Sequence, residues 1–223
     1  MTNPPSEPPP PTVDEPLAPD TLPVRIAAAE AMRRLNHAMV AHETDPELLQ
    51  RIAREANATA AIVEAGARRQ RPIRQMKTQL WQTTPEEGQR LAHFEECMVS
   101  GRANPMGIAM QPRRQGDRIV ADVNFGAAFE GAPKRAHGGA VAAVMDDIMG
   151  YVLLLTATPA FTGRLSISYR APTPVQTDLV ASAWMDRRDG RKVFLVGDLR
   201  TAEGDLIAEA DALFVAIPRE RLA

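Results

Sequence analysis

The most apolar part of the chain lies between Gly138 and Thr158, and its hydrophobic residues are not confined to one helical face. A helix that is apolar on every side belongs in a protein interior, here inside a wrapped sheet. The stretch is too short and too interrupted to span a bilayer, which takes about 18 or more unbroken apolar residues. Its two charged residues, Asp146 and Asp147, are costly to bury unless they are paired or have a task.

The pattern of apolar positions changes to period two on either side of this helix. Apolar and polar residues alternate after Asp117, which predicts a strand over Ile119, Ala121, Val123 and Phe125. Four further strands are predicted around 161–170, 179–186, 192–200 and 206–217. Asp189-Gly190 and Glu203-Gly204 favour tight antiparallel turns between the later strands. The order predicts an α+β domain with the sheet curled around the helix.

The chain ahead of this domain divides into two parts. Residues 1–23 hold nine of the nineteen prolines, so we expect a disordered tail there. Residues 24–95 are predicted to form a helical extension. An amphipathic helix runs over 26–43, and Asp45-Pro46 starts a second helix that reaches about Ala67. We interpret the two helices as a hairpin packed against the main domain, 96–218, or against a partner subunit. A short helix is also predicted from Pro85 to near Met98.

The composition of the chain limits the kinds of partner that it is expected to bind. With 26 basic and 28 acidic residues the net charge is -2, which gives no support for broad nucleic-acid or membrane binding. One cysteine, Cys97, excludes an intrachain disulfide and a cysteine-rich metal site, and no metal site is predicted. The N-terminal residues show no secretory signal pattern, so a cytoplasmic location is expected.

Candidate chemistry centres on the two glycines that open the apolar helix. Free N–H groups at a helix start can bind an oxyanion, and Gly138 and Gly139 allow a ligand to approach the backbone. Asp146 follows Gly139 by seven residues, which is roughly 10 Å along a helix. One reacting carbon needs its base and its oxyanion donor each within about 3 Å, directly or through one water. Gly139 and Asp146 of one chain are therefore too far apart to act on the same carbon. Two such helices lying antiparallel across a two-fold axis would bring Gly139 of one chain near Asp146 of the other, so the spacing predicts a site at a dimer interface.

These residues, in this order, resemble the hotdog-fold acyl-CoA thioesterases over about Glu96 to Pro218. Within that superfamily they are similar to the group that holds the phenylacetate-pathway type and the mammalian mitochondrial long-chain acyl-CoA thioesterases. The matching segments are Cys97–Gly101 with Asn104-Pro105-Met106-Gly107, Phe129–Pro133, His137-Gly138-Gly139 with Asp146, and Thr162–Pro172. The resemblance implies a hotdog fold, a curved antiparallel sheet wrapped around a central buried helix, with the helical extension outside it.

The resemblance also implies roles for particular residues. Asp146 would be the general base that activates water, or the nucleophile. The Gly139 amide, with Gly138, would stabilise the thioester oxyanion, and His137 would orient the carbonyl or the loop. Thr162 matches a threonine that helps to position the attacking water. The implied assembly is a homodimer or a dimer of dimers, with coenzyme A entering only as part of the substrate and no other cofactor.

Two further features concern the substrate. Arg187, Arg188, Arg191 and Lys192 flank a predicted turn, and of these Arg191 and Lys192 are candidates to bind coenzyme A phosphates. The chain also departs from the family pattern. Lys134 stands where a glycine is common, and Ser100 replaces the second cysteine of the opening segment. No equivalent can be placed for an asparagine that some members carry ahead of the histidine.

Two other functions fit parts of the pattern. Hotdog hydratases carry an Asp and a His beside an Asn-Pro segment, and Asn104-Pro105 lacks that pair. A non-catalytic acyl-CoA-binding or partner-recruiting protein, using residues 24–80, is the stronger alternative. It would bind acyl-CoA saturably without turnover, and the acyl-chain length is open in either case.

Overall fold

The computed structural model describes residues 21–68, 83–92 and 94–218. Three α-helices lie in these residues: α1 (Leu22–Ala41), α2 (Pro46–Glu64) and α3 (Gly138–Val152), the last continued by a 3-10 turn over Leu153–Thr156. The strands are β1 (Gln111–Gln115), β2 (Arg118–Asn124), β3 (Glu130–Ala132), β4 (Arg135–Ala136), β5 (Ala160–Tyr169), β6 (Asp178–Asp189), β7 (Lys192–Thr201) and β8 (Leu206–Ala216). The predicted proline-rich tail lies outside the described residues up to residue 20, and α1 takes in its last two residues.

Six of the strands form one antiparallel sheet in the order β1-β2-β6-β7-β8-β5, and β3 pairs with β4 in a separate hairpin. The α+β hotdog architecture predicted from the sequence, an antiparallel sheet around one buried helix, is confirmed. Both predicted turns are present, with Gly190 at a φ of 54° and Gly204 at 98°. The left-handed backbone of these turns favours glycine.

Helix α3 fills the interior of the sheet, as its composition predicts. The helix buries Val141, Val144, Met145, Ile148, Met149 and Tyr151 completely. The inward residues of the strands are often alanines, such as Ala181, Ala183, Ala208 and Ala212, which let the helix lie close to the sheet. Each large apolar side chain buried in this way stabilises the fold by about 1.5–3 kcal/mol.

The hydropathy of α3 corrects one expectation. By length and composition Gly138–Thr156 would qualify as a membrane-spanning helix, although the sequence suggested that it was too short. Half of this stretch is buried, and the sheet that wraps around it gives the physical reason for its apolar composition.

Three segments differ from what the sequence predicts. The region from Pro85 to Met98, expected to be helical, forms turns in its described residues. Its backbone binds the outer edge of the sheet instead: Gly88 donates to the carbonyl of Arg114 and Leu91 to that of Pro112. Strand β1 and the β3–β4 hairpin were not predicted, because their residues are mostly polar and do not alternate.

The two N-terminal helices are attached differently. Helix α1 packs on the 3-10 helix Ala127–Phe129 and buries Ala29 and Arg33. Helix α2 begins as predicted, with the Asp45 side chain accepting from the amide of Glu47, but it buries no residue. Only α1 is therefore a packed part of the domain in the described chain.

Candidate active site

Asp146 is held in place by a neighbouring strand. It lies at mid-helix in α3 and is half-buried, and the Thr162 hydroxyl donates to its Oδ1 at 2.8 Å. Thr162 belongs to β5, whose register against β8 shifts between Thr162 and Arg164. A bulge of this kind redirects a side chain locally. The fold thus unites two predicted site residues and leaves Oδ2 of the carboxylate for another partner.

The start of α3 is organised by His137, the residue that caps it. The imidazole Nδ1 accepts the Gly139 amide at 2.9 Å, so in the neutral ring the proton lies on Nε2. The backbone N–H of His137 donates to the carbonyl of Phe129 at 2.8 Å. The Gly139 amide, predicted to bind an oxyanion, is therefore bound to the histidine ring in the single chain.

Tyr169 is a residue of this region that sequence reasoning did not single out. Its hydroxyl donates to the Gly138 carbonyl at 2.8 Å, from the last position of β5. A Cβ atom at Gly138 would lie 3.2 Å from that hydroxyl oxygen, so a larger residue there would crowd the tyrosine. The tyrosine was visible in the strand motif, but only the strand's path shows that it reaches the helix.

The two halves of the candidate site lie at opposite ends of β5. Thr162, near the strand's beginning, contacts Asp146, and Tyr169, at its end, contacts Gly138. Helix α3 and β5 therefore run in opposite directions beside each other. Within one chain, Gly138 and Asp146 are separated by eight residues of continuous helix, roughly 12 Å.

Asp147 has a different environment from Asp146, although the two are adjacent. Its carboxyl group faces the segment that contains Cys97 and Ser100, and its Oδ2 atom is buried. The Cys97 thiol donates to its Oδ1 at 3.4 Å, whereas its buried Oδ2 accepts no hydrogen bond among the described residues. Burial raises the pKa of the Asp147 carboxyl, and the neighbouring Ser100 and Cys97 offset this only in part.

The predicted phosphate-binding residues lie at the β6–β7 turn. Arg191 Nε donates to the carbonyl of Ala216 at 3.0 Å, and Lys192 is exposed. Ala216 pairs with Ala160, the first residue of β5, so this turn is at the same end of the sheet as Thr162. The fold thus places Arg191 and Lys192 at the Asp146 end of the site, away from the helix start.

A metal centre has no structural support in the described residues. Nowhere in them do three histidine, cysteine, aspartate or glutamate side chains converge as a metal ion would require. His37 of α1 accepts a hydrogen bond from the amide of Ala128 at its Nδ1.

Residues 134–208 match the model of the thioesterase superfamily. The crystal structure of the thioesterase superfamily protein RHA08564 is 27% identical, with a TM-score of 0.71 over 86% of this chain and 90% of that one. The antiparallel sheet wrapped around one buried helix is a hotdog fold, and residues 134–208 within it match the thioesterase superfamily. The alignment covers 86% of the chain, whereas the hotdog domain is about half of it. The aligned region therefore includes part of the N-terminal extension.

Among curated proteins, the chain is similar to acyl-coenzyme A thioesterases. It is 32% identical to THEM4 of Bos taurus over 105 residues, 47% of this chain and 43% of that protein. It is 29% identical to THEM5 of Homo sapiens over 103 residues, 46% of this chain and 41% of that protein. The chain spans about half the length of the curated relatives that it matches.

Proposed function

We propose that this chain hydrolyses an acyl-CoA thioester to the free acid and coenzyme A, in an active site shared by two copies of the chain. The observation that carries the proposal is the Thr162–Asp146 contact, which orients a half-buried carboxylate two helical turns from the glycines. The names of the THEM4 and THEM5 relatives support the substrate class.

Strand β5 supports the shared site, because one of its edges is free in the single chain. It pairs with β8 on one side, and in the described residues no strand covers the other. Exposed strand edges are prone to pair with another strand. Antiparallel pairing of β5 with β5 of a second copy would bring the Tyr169 end of one chain beside the Thr162 end of the other. Gly138 and Gly139 would then approach Asp146 of the second copy.

In the proposed reaction, Asp146 removes a proton from water through Oδ2 while Thr162 holds Oδ1. The water oxygen bonds to the thioester carbon, and the resulting oxyanion accepts hydrogen bonds from the helix start. Collapse breaks the carbon–sulfur bond, and the proton held by Asp146 passes to the leaving thiolate. Because the Gly139 amide donates to His137 in the free chain, the substrate oxygen must replace the imidazole Nδ1 there. Direct attack by Asp146, through an anhydride, is the alternative route.

Thiol release from short, medium, long and aromatic acyl-CoAs by the purified full-length chain tests the proposal. We expect turnover with at least one class, and a loss of about a hundredfold or more in Asp146→Asn. Asp122→Asn, which removes an exposed carboxylate on β2, is the matched control and should keep full activity. The absence of thiol release with every substrate, or full activity in Asp146→Asn, would contradict the proposal.

The proposed chemistry needs water and no metal or further cofactor. We therefore expect the same rate after prolonged dialysis against a chelator as before it. A loss of activity that added zinc restores would show that a metal takes part. A cytoplasmic location is also proposed, on the single cysteine, and fractionation of the native cells would check it.

A second candidate is a non-catalytic acyl-CoA-binding or partner-recruiting protein. The observation in its favour is α2, a 19-residue helix that buries none of its residues and leaves Ile62 and Val63 exposed. Saturable acyl-CoA binding without any thiol release would favour this candidate over the hydrolase.

A further inference from the structure

Two neighbouring cations on the β3–β4 hairpin stand apart from most other charges of the domain. Arginines on the sheet commonly pair with carboxylates, as Arg113 does with Asp122 at 2.7 Å and Arg200 with Asp198 at 2.8 Å. Lys134 and Arg135 are exposed, and no carboxylate of the described residues lies within ion-pair distance of either side chain. Unpaired cations at adjacent positions create a local positive potential that attracts an anion.

The backbone conformation at Lys134 is one that favours glycine, so the presence of a lysine there needs an explanation. Its φ is 62°, in the left-handed region that glycine adopts without steric cost. The turn is held by its amide, which donates to Glu130 Oε1 at 3.0 Å. A glycine would satisfy the turn at least as well, so the turn itself does not account for the lysine side chain.

An open groove connects this hairpin to the start of α3. It has a volume of about 410 Å³, and its lining includes Arg135, Gly138, Tyr169 and Thr173. Its two sides are joined where the Ala136 amide donates to the Thr173 carbonyl at 2.9 Å. Arg135 therefore lines a groove that also contains Gly138, where the thioester oxygen is proposed to bind, and Lys134 precedes Arg135 in the same hairpin.

Coenzyme A has the charge distribution that such a groove would accept. Its thioester sulfur ends an extended, uncharged pantetheine arm, and its phosphates lie at the far end of that arm. Guanidinium and ammonium groups bind phosphate by charge-assisted hydrogen bonds. We propose that Lys134 and Arg135 bind phosphate groups of coenzyme A while the pantetheine arm lies in this groove. The inference rests on the proposed function.

The proposed dimer adds the second basic cluster to the same ligand. Antiparallel pairing of β5 would place the Ala160 end of a second copy beside Tyr169. Arg191 lies at that end, since it binds the Ala216 carbonyl opposite Ala160. Lys134 and Arg135 of one chain and Arg191 and Lys192 of the other would then flank the phosphates from two sides.

Calorimetric titration of the full chain with coenzyme A and with pantetheine, which lacks all phosphates, tests the inference. The variant Lys134→Gly/Arg135→Gln removes both charges, and its glycine suits the left-handed backbone. We expect the Kd for coenzyme A to rise tenfold or more, with less than a twofold change for pantetheine. Arg113→Gln removes one cation at the far edge of the sheet and should change neither Kd. The KM for acyl-CoA should rise in the double variant while that for S-acyl-pantetheine does not.

The outcomes separate this inference from the proposed function. An unchanged Kd for coenzyme A, equal weakening of both ligands, or no binding of coenzyme A by the wild-type chain would overturn the inference. If the wild-type chain binds coenzyme A through these residues but hydrolyses no thioester, the inference stands and the hydrolase proposal fails.

Discussion

At the scale of single residues, the site depends on the different environments of two adjacent acids. Asp146 is half-buried and accepts a hydrogen bond from Thr162, so one oxygen is fixed and the other can accept a proton. Asp147 is turned about 100° around the helix and enters the core, where it contacts Cys97. A base needs access to water, and the buried Oδ2 of Asp147 does not have it.

Thr162→Val tests the contribution of the hydroxyl. Loss of a hydrogen bond to a charged group costs about 1.5–3 kcal/mol, which corresponds to a decrease in kcat of roughly tenfold or more. Stability should change little, because Thr162 is exposed. Steady-state kinetics give kcat, and Thr162→Ser, which keeps the hydroxyl, should restore most of it. A serine variant as slow as the valine variant would argue against the contact.

Asp147→Asn is expected to stabilise the fold at neutral pH. Burial raises the pKa of Asp147 in the folded chain, so its contribution to stability is present at low pH and is lost as pH rises through the raised pKa. A neutral asparagine removes that loss, for a gain of order 1 kcal/mol. Urea unfolding at pH 7 should show the gain, which should shrink as the pH approaches 4. A gain that is independent of pH would contradict this account.

At the scale of elements, α1 and α2 show that similar patterns can have different outcomes. Both helices have apolar residues at helical spacing, yet only α1 is attached to the domain. Its attachment uses polar contacts: Arg33 Nη1 donates to the carbonyls of Arg102 and Asn104 at 2.8 and 2.6 Å. Burial and the Arg33 charge lower the pKa of His37, which keeps its ring neutral and able to accept from Ala128.

Arg33→Met should loosen α1 without unfolding the domain. The substitution leaves two carbonyl groups without their charged donor, so we expect the docking of α1 to weaken by about 2 kcal/mol. Hydrogen exchange of α1 amides should become faster, while that of α3 amides stays slow. Arg34→Met, on the exposed side of the same helix, is the matched control and should leave both unchanged. Equal acceleration in α1 and α3 would instead indicate global destabilisation.

At the scale of the whole molecule, the proposed site is divided between two chains. Asp146→Asn and Gly139→Val subunits would each be inactive alone. In a mixed dimer, one site would combine the intact Gly139 of the first variant with the intact Asp146 of the second. The other site would carry both defects, so a mixed dimer should have about half the wild-type activity.

Mixing the two variants under conditions of subunit exchange tests this arrangement. A one-to-one mixture should recover about a quarter of wild-type activity, because half of the dimers are mixed. Thiol release before and after exchange measures the recovery. No recovery, with mixed dimers demonstrated by differential tags, would place the whole site within one chain.

The main elements of the fold were predictable from the chain because their patterns are local. An all-apolar helix must be covered, and period-two alternation gives one buried face to each strand. Strand β1 and the β3–β4 hairpin show no such alternation. They form through tertiary pairing, at the sheet edge and near the helix start, and a local pattern does not reveal such pairing. The segment after Pro85 was wrongly expected to be helical. That prediction used local helix propensity alone, whereas the segment's conformation is fixed by tertiary hydrogen bonds to β1.

The sequence by itself determined which residues are available for chemistry: two glycines at a helix start, and a carboxylate two turns along an apolar helix. Only the tertiary structure decided how they are oriented. The Thr162–Asp146 and Tyr169–Gly138 contacts join residues 16 and 31 positions apart, and the path of β5 beside the helix brings each pair together. Helical spacing is a local property of the chain, whereas the position of a strand beside a helix depends on the order in which all the strands pair.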